Sequence, residues 1–256
     1  MSGSLTVVGT GIELGSHLTA AAREEIEQAD VVLCLVAEPV TNAFVHQLNP
    51  SARSLHEHYR LGEERSQAYA AMTEEILGEV RSGRRVCVAF YGHPGVFVTP
   101  SHDAVRLARE EGFPARMLPG VSAEDCLFAD LGFDPARQGC QSYEATDFLV
   151  RRRVVDPTAA LVLWQVGTVG SDGASAEAQP TGLPVLVERL LELYPPGHEV
   201  VVYEASPYVG FDPVVRRVAL AELSAEDVTA MATLYVPPLE SADPDPTVLA
   251  RLGLAP

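Results

Sequence analysis

Arg65 and Tyr69 stand four residues apart in a segment where Tyr69, Met72, Ile76, Leu77 and Val80 recur at helical spacing. If a helix begins near Arg65, its guanidinium and the Tyr69 phenol share the inward face. A guanidinium turned towards a core requires a partner. Two arrangements meet that requirement. One is an ion pair with Glu63 or Glu64 at the start of the helix. The other is a polar pair facing a ligand, with Tyr59 contributed by the preceding loop. His56 and His58 form an HxH pair, but no third ligand follows at a sensible spacing, and no metal site is expected.

A second group of reactive types lies on two glycine-proline loops, each closing an apolar run. The first reads Tyr91-Gly92-His93-Pro94-Gly95-Val96-Phe97, and the second reads Pro119-Gly120-Val121-Ser122-Ala123-Glu124-Asp125. Tyr91, His93 and Phe97 around a kink stiffened by Pro94 suit the wall of a pocket for a flat, partly polar ligand. Ser122 reads equally as a helix N-cap supported by Asp125 three residues later. Between the loops, Ala104, Val105, Leu107 and Ala108 mark a helix over Ser101 to Glu111. The order strand, loop, helix, short strand, loop, helix puts both loops at the carboxyl ends of neighbouring parallel strands, where open α/β sheets bind ligands.

The elements that must carry these loops follow from the rest of the pattern. Leu5 to Val8 predicts a strand, Gly9 to Gly15 a glycine loop, Thr19 to Ala29 a helix, and Val31 to Val36 a second strand broken by Glu38-Pro39. The loop spacing is GxGxxxG, one residue longer than the dinucleotide fingerprint, and no ribose-binding acid follows at about 20 residues. A tight turn that packs helix on sheet accounts for it as well. Beyond Gly120 strands cluster, at Gln141 to Tyr143, Leu161 to Trp164, Val200 to Tyr203 and Met231 to Val236, with a helix over Leu186 to Tyr194. This predicts an α/β N-terminal domain, 1–118, with a mainly parallel sheet, and an α+β C-terminal domain, 119–256, with a mixed sheet. Ser171 to Pro184 reads as an exposed loop.

Composition narrows the classes. A chain of 256 residues with 47% hydrophobic content can bury a substantial core. A net charge of −17 argues against a nucleic-acid backbone as partner, and Arg151 to Arg153, the one dense basic run, reads as a solvated turn. Cys34, Cys87, Cys126 and Cys140 lack CxxC spacing and read as reduced core residues of a cytoplasmic protein. The N-terminus lacks a basic region followed by an apolar core, and no apolar run approaches the roughly 18 residues of a membrane helix, so a soluble, unprocessed protein is expected.

The segments VVGTGIELG, YGHPGVF, LPGVSAEDCLFADLG, YEATDFL, LVLWQVG, VVYEAS and TLYVPP together resemble the tetrapyrrole methylase superfamily of S-adenosylmethionine-dependent enzymes. More narrowly, the chain is similar to the catalytic domains of borosin peptide α-N-methyltransferases, from about Leu5 to Pro238. In corrin and porphyrin methylases the third-strand loop is usually of a GDP type, whereas the histidine of GHPG and the helix with Arg65 and Tyr69 point towards the peptide-modifying branch. The resemblance implies a two-domain fold, a homodimer, and S-adenosylmethionine as methyl donor. It matches Tyr91, His93, Val96 and Phe97 to the first donor loop, Ser122 and Ala123 to the second, and Gln165, Ala205 and Thr233 to later donor contacts. Arg65, Tyr69 and Tyr91 match the catalytic set, with Tyr59 in support. His56 stands where fused members carry a tyrosine. Fused members also carry their substrate as a C-terminal extension. Only about 18 residues follow Pro238, which suggests a split type acting on a separate precursor peptide in trans. The rival readings are a corrin or porphyrin C-methyltransferase and a non-catalytic donor-binding dimer.

Overall fold

Short apolar runs alternating with helices over the first half of the chain fold, in a computed structural model, into a five-stranded parallel sheet. The structure describes residues 3–36, 39–59, 64–171 and 180–254. In chain order the elements of the first unit are β1 (Ser4–Gly9), α1 (Ala20–Gln28), β2 (Val31–Leu35), α2 (Pro39–Leu48), β3 (Arg53–Ser54), α3 (Arg65–Arg81), β4 (Arg85–Phe90), α4 (Thr99–Glu110), β5 (Ala115–Met117) and α5 (Ala123–Leu131). The strand order is β3-β2-β4-β1-β5, with every pairing parallel.

Buried on both faces, these strands read as nearly continuous apolar runs, and successive residues feed opposite cores. Leu5, Val7, Leu33 and Val88 pack with Met72, Ile76 and Val80 of α3 and Ala104 and Ala108 of α4. Val8, Val32, Cys34 and Ala89 pack on the other side with Ala22 and Ile26 of α1. From β1 the chain passes over β4 to β2 and later returns to the far side as β5. The order therefore reverses between β1 and β4, and ligands of open α/β sheets bind at such a switch point.

The second unit holds α6 (Pro135–Gln138), β6 (Cys140–Glu144), α7 (Ala145–Val150), β7 (Ala160–Trp164), α8 (Leu183–Leu191), β8 (Glu199–Glu204), β9 (Val214–Ala219), β10 (Thr233–Val236) and α9 (Pro246–Leu252). Its sheet runs β6-β7-β10-β8-β9, parallel only between β6 and β7. Its core includes Phe148, Leu161, Leu163, Leu186, Leu190, Val202 and Leu234. The expected fold class, a parallel sheet followed by a mixed one with flanking helices, is the one observed.

Several details differ from the sequence expectations. By contacts the first unit extends through Gly132 and regains Ala205–Pro213, whereas the expected boundary was 118/119. Pro39 opens α2 instead of only ending a strand, because proline at a helix start loses no intrahelical bond. Helix α8 begins at Leu183, with Pro184 in its first turn, and ends at Leu191, so Tyr194 lies beyond it. Cys34 and Cys87 are buried, but Cys126 and Cys140 are half-buried. Within the Arg run, Arg151 and Arg153 pair with Asp147. Most of the loop expected at Ser171 to Pro184 lies outside the described residues, as does Glu63. Among the described residues no helix is long and apolar enough to cross a membrane.

Candidate functional site

Three loops meet at the carboxyl edge of the parallel sheet, and glycine is what allows them to touch. A Cβ on Gly9 would lie 2.1 Å from the Gly92 carbonyl oxygen, and one on Gly120 would lie 3.2 Å from the same atom. Gly11 and Gly92 exchange backbone hydrogen bonds of 3.2 and 3.0 Å. The first glycine loop therefore serves to bring backbone against backbone, and α1 does not start until Ala20. A dinucleotide loop instead opens directly onto its helix.

Tyr91 follows β4 and donates its backbone N–H to the Leu35 carbonyl at the end of β2 (3.0 Å). The His93 ring then accepts the Gly95 N–H at Nδ1 (2.9 Å), and buried Ser101 donates its hydroxyl to the Pro94 and Val98 carbonyls. Held in this way, the loop presents Val96 and Phe97, 36% and 46% exposed. Phe97 sits at φ +55°, a left-handed conformation that non-glycine residues seldom adopt and that tends to collect at ligand sites. Tyr91 and His93 are half-buried.

Ser122 occupies the N-cap of α5 in a reciprocal capping box. Its hydroxyl accepts the Asp125 N–H (3.2 Å), while its own N–H and hydroxyl donate to Asp125 Oδ2 (2.7 Å each). Ala123 is the first helical residue. The capping role read from the sequence is thus real, and it uses the hydroxyl proton.

On the neighbouring side of the sheet, Arg65 opens α3 and Tyr69 follows one turn later, both half-buried. Tyr59 ends a single 3-10 turn, His56–His58, and meets Tyr69 edge-on with ring centres 6.4 Å apart. Burial pushes the Tyr59 phenol well above the ordinary tyrosine range. The Tyr69 phenol, with which it shares a hydrogen bond, pushes the same way, and the Arg65 guanidinium partly offsets both. Tyr59 therefore keeps its proton at any physiological pH. His56 donates Nε2–H to the Val36 carbonyl (2.6 Å), one residue beyond the carbonyl that holds Tyr91. Consecutive carbonyls at the end of β2 thus tie down both the Tyr91 loop and the Tyr59 turn.

The remaining expected residues divide between the units. Ala205 belongs to the segment that rejoins the first unit, where Leu14 N–H donates to the Pro207 carbonyl (2.9 Å). It lines a cavity of about 240 Å³ with Val121, Asp125, Cys126, His17 and Phe211. This hollow carries no sequence signature, because its walls come from three separate segments. Gln165, with φ +60°, and Thr233, 4% exposed, lie in the second unit at adjoining ends of β7 and β10. No group of three or more metal-ligating side chains forms among the described residues.

Residues 4–211 match the model of the tetrapyrrole (corrin/porphyrin) methylases. The chain belongs to that family. It is 43% identical, over 99% of its length, to the methyltransferase/ribosomally synthesized cyclic peptide gymnopeptides precursor of Gymnopus fusipes. It is 43% identical over the same share to a methyltransferase/type I borosin cyclic peptide precursor of Serendipita vermifera subsp. bescii. The chain spans 61% and 63% of the length of these two relatives. Among solved structures, the uroporphyrin-III C-methyltransferase of Thermus thermophilus superposes with a TM-score of 0.67 at 24% identity, over 93% of both chains. That likeness is one of fold.

Proposed function

We propose that this chain is an S-adenosylmethionine-dependent N-methyltransferase that modifies backbone amides of a precursor peptide. The observation that carries the reading is the hydrogen-bonded Tyr59–Tyr69 pair in the field of Arg65, set beside the Tyr91 loop. Relatives named as peptide precursor methyltransferases support it.

The residues present fit the donor. Phe97 offers a half-exposed ring on a loop fixed from beneath, which suits a flat adenine. Tyr91, His93, Val96, Ser122, Ala123, Gln165, Ala205 and Thr233 are the other proposed contacts, and they add aromatic, small, carboxamide and hydroxyl surfaces. S-adenosylmethionine would supply an electrophilic methyl group on a cationic sulfur, and the chain's residues must activate the peptide amide nitrogen that receives it.

An amide nitrogen is a poor nucleophile, since its lone pair is delocalised into the carbonyl. In the proposed mechanism Tyr69 takes the amide proton. Tyr59, whose buried phenol retains its proton, donates a hydrogen bond to the Tyr69 oxygen and so orients it. Arg65 and Tyr91 hold the carbonyl oxygen, where negative charge grows as the proton leaves. Fixing peptide and donor for in-line transfer supplies the rest.

The test is mass spectrometry of a precursor peptide after incubation with the chain and donor. A gain of one methylene in mass per transfer, placed on backbone nitrogens by fragmentation, is the expected result. Donor bound without turnover to S-adenosylhomocysteine would reject the enzyme reading, and a chromophore change on a precursor tetrapyrrole would replace the peptide with a corrin or porphyrin. The finer expectation of a separate substrate is read from the same assay, by supplying the peptide in trans.

A further inference from the structure

The HxH pair takes part in no step of the proposed reaction, yet both rings are engaged. Tyr59 hangs from very little secondary structure. Strand β3 has two residues, and among the described residues the 3-10 turn is held by His58 N–H to Leu55 O (3.2 Å) and Tyr59 N–H to His56 O (2.9 Å), with His56 N–H donating to Ser54 Oγ (3.2 Å). Fully buried Leu55, whose N–H donates to the Cys34 carbonyl (2.8 Å), fixes where the turn starts and leaves its rotation about that point to the turn's own side chains.

The two histidines supply that missing constraint from opposite sides. His56 donates Nε2–H to the Val36 carbonyl beyond β2 (2.6 Å). His58 donates Nε2–H to Glu75 Oε2 on α3 (2.6 Å), with both side chains only about a quarter exposed. A carbonyl and a carboxylate can only accept, so each ring must carry its proton on Nε2. Glu75 is itself held. Arg53 of β3 lies 3.8 Å from it and also pairs with Glu79, one turn further on, which Arg84 contacts at 2.8 Å. Helix α3 therefore carries both the anchor, Glu75, and the phenol to be met, Tyr69, about 9 Å apart along its axis.

We infer that His56 and His58 are positioning residues, a two-point clamp that fixes the angle at which Tyr59 meets Tyr69, with the His58–Glu75 bond setting the helix side. This rests on the proposed function for its catalytic consequence, but not for its structural one. A phenol displaced by an ångström from the group it must orient costs up to about a hundredfold in rate. His58→Ala is therefore expected to lower kcat roughly tenfold to a hundredfold, with donor affinity unchanged. His58→Gln places an amide donor where Nε2 was and should restore the rate to within a few-fold of the original.

The experiment uses the full chain labelled with 3-fluorotyrosine, whose eight tyrosine positions give resolved fluorine signals, with those of Tyr59 and Tyr69 assigned through Tyr59→Phe and Tyr69→Phe. His58→Ala is expected to shift or broaden the Tyr59 and Tyr69 signals and leave the others in place. His58→Gln should return them. Glu75→Ala breaks the same bond from the helix side and serves if His58→Ala does not fold. In the methylation assay, His58→Ala should cost nothing further in a Tyr59→Phe background, since a residue acting through Tyr59 has nothing left to position. Unchanged fluorine signals in both Ala variants, or losses that add in the double variant, would overturn the clamp. If the unaltered chain methylates no peptide, the proposed function falls while the fluorine signals still decide the clamp.

Discussion

At the scale of single residues, three tyrosines separate function from stability. If Tyr69 is the base, Tyr69→Phe should lower methyl transfer by about 10²–10⁴-fold with donor affinity kept, the usual range for a lost general base. Tyr59→Phe removes a donor and leaves the base, so its loss should be the smaller of the two. Equal rates for Tyr69→Phe and the unaltered chain, measured with saturating donor, would end that assignment. Tyr194 is the contrasting case. It is 2% exposed and stacks on His198 with ring centres 5.1 Å apart, yet its hydroxyl finds no hydrogen-bond partner among the described residues. Burial, with a contribution from Asp156, pushes its pKa up to about 12. An unsatisfied buried hydroxyl costs about 1–3 kcal/mol, so Tyr194→Phe should be neutral or stabilise by about 1 kcal/mol. Its unfolding midpoint in urea should move up or hold, whereas a clear drop would mean that the hydroxyl is bonded.

At the scale of elements, the three-loop contact makes a paired prediction about glycine. Gly9→Ala would drive a Cβ to 2.1 Å from the Gly92 carbonyl oxygen, backbone on both sides, so β1 and β4 must part at their carboxyl ends. That should cost about 2–4 kcal/mol and weaken donor binding with it. Gly78→Ala, inside α3 with nothing within 4 Å of the added carbon, should instead gain about 0.5–1 kcal/mol through helix propensity alone. Denaturant unfolding of both variants checks the pair, and equal effects would refute the contact argument. The same elements show what the sequence could disclose. The buried strands β1, β2 and β4 were legible because apolar runs closed by glycine have few other readings. Edge strand β9 was not, since Arg216 and Arg217 occupy its middle and its four exposed residues suit an edge facing water. Strand β3 is two residues long and exists only through its pairing with β2. In the candidate site, the grouping of Tyr91, His93 and Phe97 on one loop was legible from their crowding in sequence. The Arg65–Tyr69 spacing was readable, but its meeting with Tyr59 was a choice between two arrangements. The His58–Glu75 bond joins residues 17 apart through a turn whose direction no local pattern encodes.

At the scale of the whole molecule, the charge of −17 sets two opposing effects of acid against each other. From pH 8 down towards the sequence pI of 4.7 the net charge shrinks, and so does the self-repulsion that opposes a compact state. The carboxylates that hold structure stay ionised over that range. Asp147 is kept below the usual carboxylate range by Arg153 and Arg151, and Glu111 by Arg81. For Asp227 burial works against ionisation, but the Ser224 N–H and hydroxyl, with Arg216, still hold it low. A depressed folded-state pKa contributes stability above the unfolded value, near 4, and loses it as pH falls through the folded value. In dilute buffer the melting temperature should therefore rise or hold from pH 8 to about 5 and fall below about 4. Raising ionic strength from about 0.01 to 0.15 M shortens the screening length from about 30 to 8 Å. That should raise the alkaline side of the profile and leave the acid limb in place, because the acid limb depends on short contacts. Differential scanning calorimetry across pH at the two salt levels is the measurement. A melting temperature that falls steadily from pH 8 to 5 in dilute buffer would show that the excess of 35 acidic over 18 basic residues does not govern the stability of this chain in that range.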